Sequence, residues 1–266
     1  MNATVSRGDA WARALLSDAR VAPDTLPSLC VVDGTIAGEA WRAIAVVPDA
    51  AGRFPRARAG ELGVDEAIAL ARAVREAPSG AALLAVVDVP GQAFGRREES
   101  AGIHVALGAA VEAYATRRRD GGPVFALVVG KAISGAFLAH GLQAGWIGAL
   151  DDAEVEVHVM SAASVARVTR TSRADVARLA TTVPATARDI ASFACFGAID
   201  DIFTVRDADD PHADDALVRI RHALHDARAR DLGLRAPRDR RDAPAARETR
   251  AHARAVRDAI AAWWDA

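Results

Sequence analysis

One lysine, Lys131, and two cysteines, Cys30 and Cys195, are all that the 266 residues hold of those two types. The cysteines stand far apart, among apolar neighbours and outside any CxxC spacing. That excludes a disulfide framework and a thiolate metal centre, and both read as buried small hydrophobes in a reducing compartment. Net charge is nearly absent too: 33 basic against 35 acidic residues leave −2, so no global field favours a polyanion or an anionic membrane. The longest apolar run, residues 124–139, is interrupted by Gly130, Lys131, Ser134 and Gly135. It also falls short of the about 20 residues that span a bilayer. Residues 1–7 lack a basic start followed by an unbroken apolar core, so no signal peptide is expected. These absences describe a cytoplasmic globular protein that binds neither nucleic acid nor membrane. No metal-ligand cluster is expected either.

What is present is an alternation of strand and helix signals. Residues 29–47 read as consecutive strands, the first ending at Val32 with Asp33-Gly34 as the turn. Residues 62–77 carry a helical apolar face, stopped by Pro78-Ser79-Gly80. Residues 83–87 and 124–129 are continuous apolar runs of the kind buried on both faces of a sheet. A long helix is expected between them, over 98–117, and another from Ser134, closed by Gly141. Residues 146–150 and 155–159 read as strands, and 202–205 as one last strand. After Met160 the pattern is otherwise helical, with starts near Ser172, Thr186 and His212. The arginines of 228–250, interleaved with acids and with Pro237 and Pro244, read as solvated helix faces and ion pairs. The expected class is α/β, with a main domain over 1–206 and a helical C-terminal extension over 207–266.

Two strand-to-helix turns can carry chemistry. In the first, Asp88-Val89-Pro90-Gly91-Gln92-Ala93-Phe94-Gly95, the glycines let backbone approach a ligand closely. The second is Gly130-Lys131-Ala132-Ile133-Ser134-Gly135-Ala136. A helix start there presents N–H groups that no carbonyl of the helix accepts, a place for an oxyanion. A P-loop is excluded, because Gly130-Lys131 is followed by Ala132 and the earlier glycine is missing. Three readings remain. One is a degenerate nucleophile elbow at Ser134, needing a base from His104, His140 or His158. Another is an oxyanion hole of backbone amides with no side-chain nucleophile. The last is a tight structural turn. His140, near a helix end, is expected to make a cap or dipole contact.

The ordered pair of turns resembles the crotonase-like carboxyltransferase superfamily. More narrowly, Asp88-Val89-Pro90-Gly91-Gln92 with Arg97-Glu98-Glu99, and the run from Gly130 through His140 to Ala144, resemble the gamma subunit family of biotin-independent malonate decarboxylase. The resemblance is densest over residues 83–152. It implies a crotonase-like superhelix of strand-strand-helix units and an active site shared with a beta subunit. The implied substrate is a malonyl thioester on the phosphopantetheine-type prosthetic group of an acyl-carrier subunit. An acyl-carrier transferase subunit is a further implied partner, and no cofactor is implied on this chain.

Loss of CO₂ from such a thioester places negative charge on the thioester oxygen, which fixed N–H donors stabilise. By analogy with paired carboxyltransferase domains, the beta partner holds that oxygen and the gamma chain faces the departing carboxylate or the carbon to be protonated. The expected donors here are the amides of Gly91, Gln92, Gly135 and Ala136, with Ser134 fixing the loop and Lys131 attracting a carboxylate or phosphate. The alternatives are a carboxyltransferase alpha-type subunit using carboxybiotin, another crotonase-like acyl-CoA enzyme, a serine hydrolase, and a non-catalytic scaffold.

Overall fold

A computed structural model describes residues 6–240 and 246–264. The chain opens with α1 (Arg7–Leu15), β1 (Ser17–Val21), β2 (Leu29–Ile36) and β3 (Glu39–Val46). It then runs through α2 (Val64–Arg75), β4 (Ala82–Val89), α3 (Arg96–Ser100), α4 (Ile103–Arg119), β5 (Val124–Ile133) and α5 (Ser134–Ala139). Next come β6 (Trp146–Asp151), β7 (Glu156–His158), α6 (Ala162–Thr169), α7 (Arg173–Ala180) and α8 (Ile190–Cys195). The last elements are β8 (Asp201–Thr204), α9 (Ala216–Ala229), α10 (Pro237–Arg240) and α11 (Ala251–Trp264). One sheet runs in the order β1-β2-β3-β4-β5-β6-β8, with β7 paired to the end of β5. The first three strands are antiparallel and the rest parallel.

Side chains alternate across a strand, so each face of the sheet takes its own helices. Arg42 of β3 points to α2, donating to the Ala73 carbonyl at 2.9 Å and to Asp33 at 2.7 Å. Its neighbour Trp41 points the opposite way, beneath the guanidinium of Arg228 from α9. On that face a row of rings crosses the sheet: Trp41, Phe125, Trp146 and Phe203, at successive centroid distances of 4.9, 6.4 and 6.4 Å. α1 covers the same face, where the Trp11 indole N–H donates to the Ala208 carbonyl at 2.7 Å. Its start is capped by Ser6, whose hydroxyl accepts from the Asp9 amide.

Several expectations need correction. The hairpin turn is not Asp33-Gly34. β2 runs through it, and the chain reverses at Ala37-Gly38, where both φ angles are positive (50° and 79°), as a two-residue primed turn requires. Gly34 serves close approach instead: a Cβ there would lie 2.6 Å from the Ser17 carbonyl and 2.8 Å from Leu16 Cβ. The helix expected over 98–117 is two helices, parted where Gly102 takes φ 80°. Ser172 does cap α7, but α8 is capped by Asp189 rather than started at Thr186, and α9 begins after Asp215 rather than at His212. α1 and β1 carry residues for which no element was expected. Cys30 is buried, its thiol pushed up to about 12 chiefly by burial. Cys195 is exposed, contrary to expectation. Pro244 lies outside the described residues.

Beyond residue 206, α9 buries Leu217, Ile220 and Leu224 in the apolar cluster that also holds β2 to β6. α11 buries none of its residues, and Trp263 and Trp264 are 76% and 79% exposed. Among the described residues no helix is long and apolar enough to cross a membrane, and no group of three or more His, Cys, Asp or Glu is placed to hold a metal ion. Because a Cβ on Gly34 meets backbone, Gly34→Ala should destabilise the chain by about 1–3 kcal/mol. Urea denaturation midpoints of the two proteins test this; an unchanged midpoint would place the strand contact elsewhere.

Candidate active site

The site is built on an irregularity between β4 and β5. Val87 pairs with Val128, yet Val89 pairs with Ala132, so Val129, Gly130 and Lys131 together face Asp88. A bulge of this kind frees ladder groups that need other partners. Asp88 Oδ1 accepts from the Lys131 amide at 3.0 Å, and the Val129 carbonyl accepts from Arg7 Nη1 at 3.2 Å. Arg7 is itself held by Asp152 and Asp209, and its hydrogen bond, then its charge, keep the Asp209 carboxyl below the usual range. Gly130 is required: a Cβ there would lie 2.1 Å from Asp88 Oδ1. The bulge also redirects β5. Its first half pairs with β6 through residues 125–128, and its last three residues pair with β7.

Above the bulge the two turns meet. The first is pinned by Leu62, whose amide donates to the Gly91 carbonyl and whose carbonyl accepts from Ala93, both at 3.0 Å. Gly91 takes φ 140° there, a conformation that L side chains rarely adopt. In such a parallel bridge the N–H and C=O of Gln92 face away from Leu62. Across the gap the Gly135 amide donates to Gln92 Oε1 at 2.9 Å, so the two turns touch through that pair. Ile133 stands beside them, its Cγ2 3.9 Å from where a Gly91 Cβ would sit. Ser134 has φ 58°, an αL conformation that a non-glycine residue adopts at a cost. Ala136 is fully buried in the first turn of α5. Lys131 is exposed, on a cleft of about 300 Å³ lined also by Arg7, Asp88, Pro90, Glu154 and Asp209.

The histidines separate clearly. His140 is the C-cap of α5, its backbone N–H donating to the Ala136 carbonyl at 2.8 Å, while its ring is fully buried with Nδ1 3.0 Å from the Tyr114 hydroxyl and Nε2 3.3 Å from the Val86 carbonyl. Burial lowers its pKa to about 4, leaving it a neutral core residue with both nitrogens engaged. His104 is exposed on α4. His158 pairs in register with Ile133, one residue before Ser134.

The sequence reading named the turn residues but missed Leu62, which pins the first turn, and the side-chain roles of Asp88 and Gln92. Asp88 and Gln92 belong to the run that carried the resemblance, whereas nothing in the spacing marks Leu62. If Asp88 is the reason for glycine at position 130, Gly130→Ala should cost about 1–3 kcal/mol in the native background. In an Asp88→Ala background it should cost under half as much. Denaturation of the four proteins of this cycle gives the coupling, and additive losses would refute it.

The chain matches the malonate decarboxylase gamma subunit family, MdcE, over residues 57–264. It is 44% identical to a chain of a Pseudomonas malonate decarboxylase hetero-tetramer in complex with coenzyme A, covering 95% of this chain and 99% of that one, with a TM-score of 0.83. A Pseudomonas malonate decarboxylase MdcD-MdcE hetero-dimer gives 45% identity, coverage of 97% and 100%, and a TM-score of 0.81. The Malonomonas rubra malonyl-S-ACP:biotin-protein carboxyltransferase MADD is 35% identical over 160 residues, 56% of this chain and 55% of the relative. The match thus spans about half the length of that relative. The transcarboxylase 12S core, 22% identical over 83% of this chain and 41% of its own, shares the fold with a TM-score of 0.65. The fold is accordingly the crotonase-like carboxyltransferase type expected from the paired turns. With the family match running from before the first turn to the end of α11, this chain belongs to the malonate decarboxylase gamma subunit family.

Proposed function

We propose that this chain joins a beta subunit to form the site that decarboxylates malonyl-S-acyl carrier protein to acetyl-S-acyl carrier protein and CO₂, a carbon–carbon lyase active as part of a hetero-oligomer. The observation that carries the reading is the Gly135 amide with an amide oxygen, Gln92 Oε1, seated 2.9 Å away. That oxygen stands in for the kind of acceptor a substrate would present. The paired Pseudomonas chains, MdcD with MdcE, support a beta-type partner, and the coenzyme A complex supports an acyl-thioester substrate. An acyl-carrier subunit bearing a phosphopantetheine-type group, and the transferase that reloads it, complete the proposed assembly. We place the assembly in the cytoplasm, where the free thiols of Cys30 and Cys195 are at home.

Decarboxylation needs no nucleophile from the protein. The C–C bond electrons form the enolate, CO₂ departs, and the carbon takes a proton from solvent. The protein's contribution is fixed donors where charge develops, each worth about 3 kcal/mol. We assign the thioester oxygen to donors of the beta partner, and to this chain the amides of Gly91, Gln92, Gly135 and Ala136 facing the departing carboxylate or the carbon to be protonated, with Ser134 setting the loop. Since Gly135 already donates to Gln92, a substrate oxygen at that donor displaces the glutamine side chain. Lys131, exposed on the neighbouring cleft, supplies a charge for a carboxylate or the carrier-arm phosphate.

A second reading has its own support. The Malonomonas relative is a biotin-protein carboxyltransferase, so the same site could pass the carboxyl group to biotin rather than release it. CO₂ release from a malonyl thioester, by the chain alone and mixed with its beta-type partner, tests both. The decarboxylase reading expects avidin-insensitive release from the mixture only, whereas avidin-sensitive release favours carboxyl transfer. Release by the chain alone points to a self-sufficient crotonase-like enzyme, and none from a stable complex to a scaffold.

Two substitutions probe the donors. Gly135→Val should lower kcat about a hundredfold in an assembled complex, and full activity would remove the second turn from catalysis. Lys131→Ala should raise KM several-fold with kcat little changed, as loss of uniform binding does. Unaltered kinetics would make that lysine a solvent residue.

A further inference from the structure

His158 closes β7 with its ring inside the protein, its side chain 5% exposed. Arg188 Nη2 lies 2.8 Å from His158 Nε2, and Glu156 Oε2 lies 3.3 Å from the same nitrogen. A guanidinium can only donate. The closer contact therefore makes Nε2 the acceptor and puts the ring proton on Nδ1. Burial first, and then the charge of Arg188, hold the imidazole's pKa below its ordinary value against the opposing pull of Glu156. The ring is thus a neutral imidazole with one fixed tautomer. Its Nδ1 is buried and has no hydrogen-bond partner among the described residues. Leaving such a buried donor unpaired is costly, and a strut for Arg188 needs no donor at that atom.

Strand register says where the ring stands. His158 is the partner of Ile133, and register partners in a parallel pair present side chains on the same face. Ile133 Cγ2 lies under Gly91 on that face, and Ser134 and Gly135 follow it directly. His158 therefore sits on the face where the two turns meet, next to the strand that ends in the second of them.

We propose that the Nδ1–H of His158 is a substrate-contacting donor that hydrogen-bonds an oxygen of the bound malonyl thioester. The inference rests on the decarboxylase reading above and adds a side-chain donor to its backbone amides. A neutral imidazole is suited to this, because it polarises an oxygen without giving up its proton.

The test uses the fact that glutamine and asparagine mimic different ring nitrogens. His158→Gln puts an amide where Nε2 stands, so its oxygen still accepts from Arg188 while the Nδ1 donor is lost. His158→Asn puts an NH₂ where Nδ1 stands and gives up the Arg188 contact. In the assembled gamma–beta complex, CO₂ release from a malonyl thioester by His158→Gln should fall about a hundredfold in kcat/KM, with the melting temperature kept. His158→Asn should recover at least a tenth of the native value. A loss confined to kcat assigns the donor to the thioester oxygen that becomes the enolate, and one confined to KM assigns it to the carboxylate.

Native kinetics in His158→Gln, or a deeper loss in His158→Asn that tracks its melting temperature, would reduce the ring to a strut and overturn the inference. An independent readout is the imidazole Nδ1–H resonance of the unmutated complex, which should move downfield when a non-cleavable malonyl thioester analogue saturates the site. A stationary resonance at saturation refutes the contact. A native complex that releases no CO₂ would overturn the decarboxylase reading and this inference together, whereas an active native complex with an unaffected His158→Gln would sink this inference alone.

Discussion

The bulge opposite Asp88 is the constraint from which the rest of the site follows. Two parallel strands in perfect register would end side by side, each with its turn pointing the same way. Here Val129, Gly130 and Lys131 stand against one residue, and the extra backbone groups are taken up by the Asp88 carboxylate and the Arg7 guanidinium. β5 is thereby released from β6 and handed to β7, which brings His158 beside the second turn. A carboxylate, a missing Cβ and an arginine from the other end of the chain are jointly needed. This explains why an Asp in one turn and a Gly in the other belong to one motif although 42 positions separate them.

The same geometry accounts for the contact between the turns. Leu62 holds the Gly91 loop from outside, leaving the Gln92 side chain to reach across to Gly135. The chain satisfies its own donor with its own glutamine. Such a donor is kept aimed without being left bare, which avoids the penalty of an unpaired amide. His158 is arranged differently: Arg188 fixes its tautomer from behind, and no group among the described residues hydrogen-bonds its other nitrogen.

The fold class was legible because period and composition agree over long stretches. The buried runs in β4 and β5, the apolar face of α2 and the capping serine of α7 are local signals with local causes. The failures were local signals overruled by tertiary contacts. Asp33-Gly34 has the chemistry of a turn, but β1 needs the space beside Gly34, and Asp33 is held in the strand by Arg42. Gly102 divides a helix whose flanking sequence is helical on both sides. In the site, the turns could be named from their glycines and serine because backbone chemistry leaves a spacing. The Leu62 bridge and the pairing of His158 with Ile133 leave none, since each depends on which strand lies next to which.

The seating of α1 also bears on how the protein is made. Strands β1 to β6 are neighbours in space in the order in which they are synthesised, so most of the sheet can pair as it emerges. Trp11, however, finds its acceptor at Ala208, and Arg7 finds Asp209, 197 and 202 residues further along. At about 5–20 residues per second, α1 can settle on β2 to β5 as they form, but the acceptors of Trp11 and Arg7 follow only roughly ten to forty seconds after the helix. Until α9 and the residues after it follow, the part of that face holding Trp41 and Phe125, which Arg228 and Gly233 cover, is open to solvent. Completion of the core is thus a late event of translation, and the growing chain is at its most aggregation-prone just before α9 leaves the ribosome.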